Sequence, residues 1–317
     1  MLFFYIIFSH KRFFLYLCAV YINKIVLKHK ILHRISKMLA FVPDPCMLRI
    51  QYRIRTGRWL NLDNPKRFTE KIQWYKCKYR NPLMLQCTDK YLVRDYVREK
   101  LGGEEYLNEL YQVHATADSI DFDSLPDRFV IKTTDGGNGE NVLIVKDKSS
   151  LDKQETVRLV NGWRNKKYYI VSREWAYKGA QRSQVIVEKY MEDSSLENDA
   201  LLDYKFFCFN GKPYCVQVDS DRFDGHRQNY YDMDWHSLGV HCTFPEGMHQ
   251  QQKPQNFDEM VRVVSLLSED FPFVRVDLYN IGGKIYFGEL TFYPSSGYRN
   301  FHPDSFDYQL GSMFQIK

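Results

Sequence analysis

The segment from residue 129 to residue 145, FVIKTTDGGNGENVLIV, contains two apolar runs joined by a glycine-rich connection. It predicts strand, turn and strand, with Lys132 shortly before a turn that holds Gly136, Gly137 and Gly139. Glycine adopts backbone angles closed to other residues, and its N–H groups can approach an anion closely. A lysine beside such a loop suits a polyphosphate, but a plain hairpin with a solvated lysine has the same local pattern. The loop alone leaves both interpretations open.

The length of the chain and the spacing of its cysteines limit the class of protein that it can be. The 317 residues suffice for two modest domains or one large one, and the apolar content supports a core. The seven cysteines are scattered, odd in number and contain no Cys-x-x-Cys pair. This pattern argues against a disulfide framework or a zinc site and favours a reducing compartment, so we expect a cytoplasmic protein.

The positive charge is concentrated at the start of the chain. Residues 1–43 contain seven of the 44 basic residues and no acid, so the remainder has 44 − 7 = 37 bases against 39 acids. A basic tail does not make a nucleic-acid surface, and no nucleic-acid partner is expected.

The apolar runs 2–8 and 13–22 are too short to span a membrane. Residues 1–40 could lie on an anionic membrane surface or pack as an ordinary helix.

Residues 44–83 have a helical and basic-aromatic pattern, within a helical region that extends to residue 104. Thr69 is expected to cap a helix, and Thr88 or Asp89 a second helix that ends at two glycines. Lys90 would then lie in the first turn, where the helix dipole disfavours a cation unless an anion is bound. Arginines and aromatic residues before this helix either pack on the surface or bind an anionic group.

The C-terminal half predicts two hairpins, turned at Asn210-Gly211 and Gly282-Gly283, with a polar loop at residues 226–229 and a helix over residues 257–269. Asp277 and Glu289 fall on the two strands of the second hairpin. Carboxylates opposed across a hairpin can share a divalent cation, and an oxygen-only pair suits Mg²⁺. Alternatively, each is a solvated strand residue.

The order of these features resembles the ATP-grasp superfamily of carboxylate–amine ligases. More closely, it resembles the TupA-like ATP-grasp family, named from teichuronopeptide biosynthesis. The similar segments lie between about residues 60 and 300 and are NPKRFTEKIQWYK, TDKYLVRDYV, FVIKTTDGGNG, DYKFFCFNGKP, VRVDLY and GELTFYPSSG.

The resemblance implies an α+β protein with the ATP-grasp fold, in which two α+β subdomains enclose ATP, plus an N-terminal helical extension. The implied divisions are a basic apolar extension (1–43), a helical region (44–104), a small subdomain with the glycine-rich loop (105–192) and a C-terminal subdomain with the metal site (193–317).

The resemblance also implies ATP and Mg²⁺ as cofactors and assigns residues to them. The implied ATP-binding residues are Lys90, Lys132, Gly136, Gly137, Gly139, Glu188, Lys189, Tyr190 and Lys205, with residues 188–190 at the adenine hinge. The implied metal ligands are Asp277, Glu289 and Thr291, the last where many relatives have asparagine. A hydroxyl is a weaker ligand than an amide oxygen. The implied catalytic residues are Lys132 and Arg275, and further candidates for the acceptor side are Asp219, Arg222 and Ser295 to Gly297.

The reaction implied is formation of an acyl phosphate from a carboxylate and ATP, followed by attack of an amine. The substrates would be small or polysaccharide-linked acids and amines, because relatives commonly accompany capsule and cell-wall genes. Two alternatives remain from the residues. The first is a glycosyltransferase, as which the family is often described; it would need a nucleotide-sugar site, and the Asp-x-Asp triplets at 219–221 and 232–234 match only the bare pattern. The second is a degenerate nucleotide-binding partner of a membrane polysaccharide complex.

Overall fold

The computed structural model describes residues 39–135, 141–164, 168–193, 201–220, 225–242, 244–247 and 250–316. The helices are α1 (Asp44–Thr56), α2 (Phe68–Lys78), α3 (Leu83–Cys87), α4 (Val93–Leu101), α5 (Lys153–Trp163), α6 (Tyr168–Ser172), α7 (Phe257–Ser268) and α8 (Ser305–Met313). The strands are β1 (Leu110–His114), β2 (Phe129–Thr133), β3 (Val142–Val145), β4 (Val185–Lys189), β5 (Asp203–Phe209), β6 (Lys212–Ser220), β7 (Arg227–Tyr231), β8 (Val274–Ile281) and β9 (Lys284–Thr291). This mixture confirms the predicted α+β class. No helix in the described ranges is long and apolar enough to cross a membrane.

A four-stranded antiparallel sheet has the order β1-β4-β2-β3. Because side chains alternate along a strand, Phe129 and Ile131 face one side and pack into a core that includes Val160 of α5. Lys132 points to the other face. Glu188 lies opposite Val130, two residues from Lys132, and therefore shares the face of the lysine. This second face therefore carries Lys132 and Glu188 together with the buried apolar residues Val130 and Ile186.

A five-stranded antiparallel sheet has the order β7-β6-β5-β8-β9. Its apolar face packs on α7, where the rings of Phe206 and Phe257 stack at 5.9 Å. On the opposite face a row of polar side chains runs in register across the five strands. The row consists of Tyr230, Gln217, Lys205, Asp277 and Glu289. Covering one face with α7 therefore leaves polar residues collected on the other.

Both predicted hairpin turns are confirmed. Asn210 and Gly211, like Gly282 and Gly283, have positive φ angles between 50° and 81°. Two successive residues of this kind form the turn whose twist matches that of paired strands.

The predicted polar loop at residues 226–229 is wrong, because Arg227–Tyr231 forms edge strand β7 against β6. Its polar side chains pair with polar side chains of β6, as when Tyr230 donates a hydrogen bond to Gln217. Strand β7 therefore forms without the alternation of apolar and polar residues by which a strand is usually recognised in a sequence.

Helix boundaries also differ from the expectations. Arg67, rather than Thr69, is the N-cap of α2. Asp89 does accept hydrogen bonds from the N–H groups of Tyr91 and Leu92, as an N-cap does, but α4 begins only at Val93. Lys90 therefore lies in the turn before α4 and not in its first helical turn.

Candidate active site

Lys132 and Glu188 meet on the free face of the four-stranded sheet. Nζ of Lys132 donates to Oε2 of Glu188 at 2.7 Å, and Nη1 of Arg94 donates to Oε1 at 3.3 Å. Nη2 of Arg94 donates to the carbonyl of Asn108 at 2.8 Å. The carboxylate of Glu188 is thus buried between two cations, inside strand β4 rather than at its end. Lys132 remains about a quarter exposed and can reach a ligand.

Arg94 was missed by the sequence interpretation. It lies in α4 beside the fully buried Val97, and it is itself buried. An arginine on the buried side of an amphipathic helix requires a partner, since a buried charge is costly unless it is paired. That position was the available signal, but it did not identify Glu188 as the partner.

Lys90 adjoins the same group. Its N–H donates to the carbonyl of Thr134 at 3.0 Å, which places it at the start of the glycine-rich connection. The pKa of Lys90 is lowered mainly by burial, and the positive charge of Lys132 lowers it further. The carboxylates of Glu289 and Asp135 act in the opposite direction and raise it. The fold therefore brings the two predicted phosphate-binding lysines together with Glu289. Gly136, Gly137 and Gly139 lie outside the described residues.

The side chains of Lys189 and Tyr190 lie near the surface. Lys189 is 3.4 Å from Glu109, and its backbone N–H and carbonyl bond to Glu109 and Asn108. The guanidinium of Arg128 lies 4.7 Å from the ring centre of Tyr190. Lys189 and Arg94 line a cleft of about 450 Å³, a size typical of small-ligand sites. The place of these residues at the adenine base stays a prediction.

The two predicted metal carboxylates are directly opposite in the β8–β9 pair. Arg275 donates to both oxygens of Asp277, at 2.7 and 2.6 Å, and from Nη2 to Oε1 of Glu289 at 3.2 Å. Nζ of Lys205 donates to Oδ2 of Asp277 at 3.1 Å and also bonds to Asp203. Arg275 is therefore engaged with the carboxylate pair itself.

Thr291 belongs to the same group. Its hydroxyl donates to Oε1 of Glu289 at 2.7 Å and accepts from Nη2 of Arg275 at 3.1 Å. The side chain thus lies beside the carboxylates, which is compatible with its predicted ligand role, and that role stays a prediction.

The donor atoms of this centre fit a divalent cation. Four carboxylates, of Asp203, Asp219, Asp277 and Glu289, lie within ion-pair distance of Lys205 or Arg275. Burial raises the pKa of Asp277 to about 6, although Arg275 and Lys205 oppose it. Burial also acts to raise the pKa of Glu289, but Arg275 and the hydrogen bond from Thr291 hold it below the usual value. Oxygen donors of this kind are those that Mg²⁺ prefers.

We expect Mg²⁺ binding to weaken in acid. Since burial raises the pKa of Asp277 to about 6, this carboxyl is ionised above that pH and takes up a proton below it. Calorimetric Mg²⁺ titration should show an affinity that is steady from about pH 7 to 8 and falls roughly tenfold per pH unit well below about pH 6. An affinity that is constant down to about pH 4.5 would contradict a role for Asp277 as ligand.

The turn after β9 is fixed against α2. Residues 295–297 all have positive φ angles, of 47°, 56° and 69°. Gln73 donates to the carbonyls of Ser296 and Gly297 at 2.9 Å, and Lys76 donates to the carbonyl and hydroxyl of Ser296 at 2.8 and 2.7 Å. The acceptor-side candidates Ser295 to Gly297 thus form a rigid turn. Gln73 and Lys76 were missed.

Of the two other candidates for the acceptor side, Asp219 and Arg222, the structure describes only Asp219. Asp219 is buried beside Lys205 and 3.5 Å from Nε2 of His226, so it adjoins the carboxylate centre. Arg222 lies outside the described residues.

Comparison with protein families shows to which family the chain belongs. A sequence model of the family described as TupA-like ATP-grasp matches residues 70–315, more than half of the chain. The chain belongs to this family. The matched range includes β2, β4, β8 and β9, which carry the lysine, glutamate and paired acids of the site. The predicted family and the ATP-grasp fold are thereby confirmed, and membership supports an ATP-grasp ligase.

Solved structures of ATP-grasp ligases are among the similar proteins. D-alanine–D-alanine ligase from Bacillus anthracis is 18% identical, with 65% of this chain and 57% of that chain covered and a TM-score of 0.41. L-amino acid ligase from Bacillus licheniformis is 15% identical, with 72% and 49% covered and a TM-score of 0.43. The matches thus span only about half the length of these enzymes. A search of curated proteins found no significant match.

Proposed function

We propose that the protein is an ATP-dependent carboxylate–amine ligase that uses Mg²⁺. The observation that carries the proposal is the pairing of Asp277 and Glu289 on β8 and β9, with Lys90, from the turn before α4, close to both Glu289 and Lys132. Carboxylates for a metal and lysines for phosphates are the parts that phosphoryl transfer needs. Family membership supports ATP as the nucleotide.

The chain's own residues would orient the reactants. Lys90 and Lys132 would bind phosphate oxygens, and Asp277 and Glu289 would hold Mg²⁺, which neutralises charge on the phosphates when bound. A carboxylate oxygen of the acid then attacks the γ-phosphorus, and the bond to ADP breaks. The amine attacks the carbonyl of the acyl phosphate, and phosphate leaves. Exclusion of water protects the acyl phosphate from hydrolysis.

Calorimetry with ATP, with and without Mg²⁺, tests the nucleotide site. Wild type should bind ATP in a Mg²⁺-dependent manner, and Lys132→Ala should bind at least about tenfold more weakly, because a charge-assisted contact contributes about 1.5–3 kcal/mol. Lys153→Ala is the control, since Lys153 is exposed and pairs only with Asp123 among the described residues. Binding of a nucleotide-sugar instead of ATP would favour the transferase. Binding of neither would favour the degenerate partner.

We propose a role in the synthesis of a capsule or another surface polysaccharide, with small or polysaccharide-linked acids and amines as substrates. The resemblance of the segments quoted above supports this role. A cytoplasmic location with peripheral membrane contact through residues 1–40 fits the seven bases in residues 1–43. Phe41 and Trp59 flank α1 and are 82% and 73% exposed, which also favours an interfacial surface.

The glycosyltransferase alternative draws on two Asp-x-Asp triplets. In the second, Oδ1 of Asp232 accepts hydrogen bonds from the N–H groups of Asp234 and His236, so it stabilises a local turn. In the first, Asp219 adjoins Lys205 in the carboxylate centre, and Asp221 lies outside the described residues. Neither triplet favours a transferase over a ligase.

A further inference from the structure

Arg299 is a buried arginine without a carboxylate partner among the described residues. It is only 8% exposed. Its Nε donates to the hydroxyl of Ser295 at 2.6 Å, and its Nη1 donates to Oε1 of Gln217 at 2.5 Å and to the hydroxyl of Tyr230 at 2.7 Å. Within the described part of the chain, no acid forms an ion pair with it and no atom accepts a hydrogen bond from its Nη2. Each of these three partners is neutral.

The other buried arginines of the described residues differ from it. Arg94 pairs with Glu188, Arg173 with Asp44 and Arg275 with Asp277. Arg299 is linked to a carboxylate only indirectly, because Gln217 lies between it and Asp219. A buried charge is costly unless a counter-charge stabilises it. Because the guanidinium has no carboxylate partner within the described ranges, it is a candidate for binding an anion.

The position of Arg299 relates it to the carboxylate centre. Its partner Gln217 lies directly opposite Lys205, and Lys205 lies opposite Asp277. Directly opposed residues share a face of the sheet, and strands are about 4.8 Å apart, so Gln217 is roughly 10 Å from Asp277. Ser295 is exposed in the turn after β9, which gives the guanidinium a route to solvent. Arg299 and the carboxylate pair can thus contact two ends of one small reactant or two adjacent reactants.

We propose that Arg299, with Ser295, binds a substrate carboxylate that is distinct from the one ATP activates. A planar guanidinium recognises carboxylates with particular strength and geometry. The substrate class is therefore either an acid with a second carboxylate or an amine that is itself an amino acid. The assignment to a substrate rests on the proposed ligase function, whereas carboxylate binding by Arg299 does not.

Calorimetry on the full chain with Mg²⁺ and ADP tests this proposal. The probes are glutarate for a diacid and L-alanine for an amino acid, with glutaramide as the uncharged control. We expect wild type to bind at least one carboxylate probe and not glutaramide. Arg299→Gln should weaken that binding at least tenfold, and Arg299→Lys should weaken it less. Arg58→Gln is the matched control, because Arg58 already pairs with Asp304 at 2.6 Å, and it should change binding less than twofold.

Each outcome decides the proposal. Glutarate binding places the second carboxylate on the acid, and binding of L-alanine places it on the amine. If wild type binds neither probe, or if Arg299→Gln binds as wild type does, the proposal is overturned. Should Arg299→Gln not fold, Ser295→Ala must weaken binding at least twofold, and unchanged binding overturns the proposal. If the protein binds a carboxylate through Arg299 but does not bind ATP, the carboxylate site is supported and the proposed ligase function is contradicted.

Discussion

Replacing Asp277 by asparagine should lower Mg²⁺-dependent formation of ADP from ATP by at least about a hundredfold. A bound metal stabilises the charge of the transition state by several kcal/mol, and each 1.4 kcal/mol is about tenfold in rate. Asp277 lies opposite Glu289 and accepts from both Arg275 and Lys205, so its carboxylate is central to the group of charged side chains. The measurement is ADP release from ATP in the presence of a panel of carboxylic acids and amines, with the wild type assayed on the same panel.

The same variant separates loss of function from loss of fold. Burial raises the folded-state pKa of Asp277 to about 6, above its ordinary 3.8, so its ionised form destabilises the metal-free fold at about pH 7.5. The asparagine side chain removes this cost but also removes the charge that pairs with Arg275 and Lys205, so the thermal midpoint of Asp277→Asn without Mg²⁺ measures how much of the fold is lost. Mg²⁺ should raise the midpoint of the wild type and not that of the variant. The control is Asp63→Asn, because the side chain of Asp63 is exposed. A rate for Asp277→Asn above a third of wild type would contradict the assignment.

The sequence was sufficient for those parts of the site that local patterns encode. Asp277 and Glu289 could be placed on the two strands of one hairpin from sequence, because a Gly-Gly turn joins two strand patterns. Their direct opposition depends on an irregularity in the ladder between Asp277 and Leu278, since the regular register from the turn would pair Asp277 with Gly288. Lys132 could be placed on a strand next to the glycine-rich connection for the same reason. In both cases the deciding residues are close together in the chain.

The parts that were not predicted depend on contacts between distant segments. Arg94 and Glu188 are 94 positions apart, and Lys76 and Ser296 are 220 apart. No periodicity within α2 or α4 specifies such partners, because helix patterns indicate which face is buried and not what covers it. Strand β7 was missed for a related reason, since its side chains pair with polar residues of β6.

Replacing Gly311 by alanine should destabilise the protein by about 3 kcal/mol, a typical cost of forcing atoms into a packed core. Gly311 lies in α8, and an added Cβ would be 2.1 Å from the carbonyl oxygen of Lys66 and 2.8 Å from the backbone N of Phe68. Backbone atoms at the start of α2 cannot rotate away as a side chain can. Chemical denaturation measures the change.

Gly162→Ala is the matched control. It also lies in a helix, α5, but an added Cβ meets no atom within 4 Å. Because alanine favours a helix over glycine by about 1 kcal/mol, Gly162→Ala should stabilise the protein slightly. If Gly311→Ala were as stable as Gly162→Ala, the close approach of α8 to α2 would be wrong.

The packing of Gly311 also affects the turn after β9 in the candidate active site. Helix α2 is held to α8 by the bond from the backbone N–H of Thr69 to Asp307 at 2.9 Å and by Lys71, which donates to the carbonyl of Gly311 at 2.7 Å. The same helix carries Gln73 and Lys76, which fix the turn after β9. A methyl group at Gly311 that displaces α2 should therefore shift this turn. We expect Gly311→Ala to weaken the Arg299-dependent carboxylate binding and to leave binding of ATP, whose residues lie on other elements, less affected.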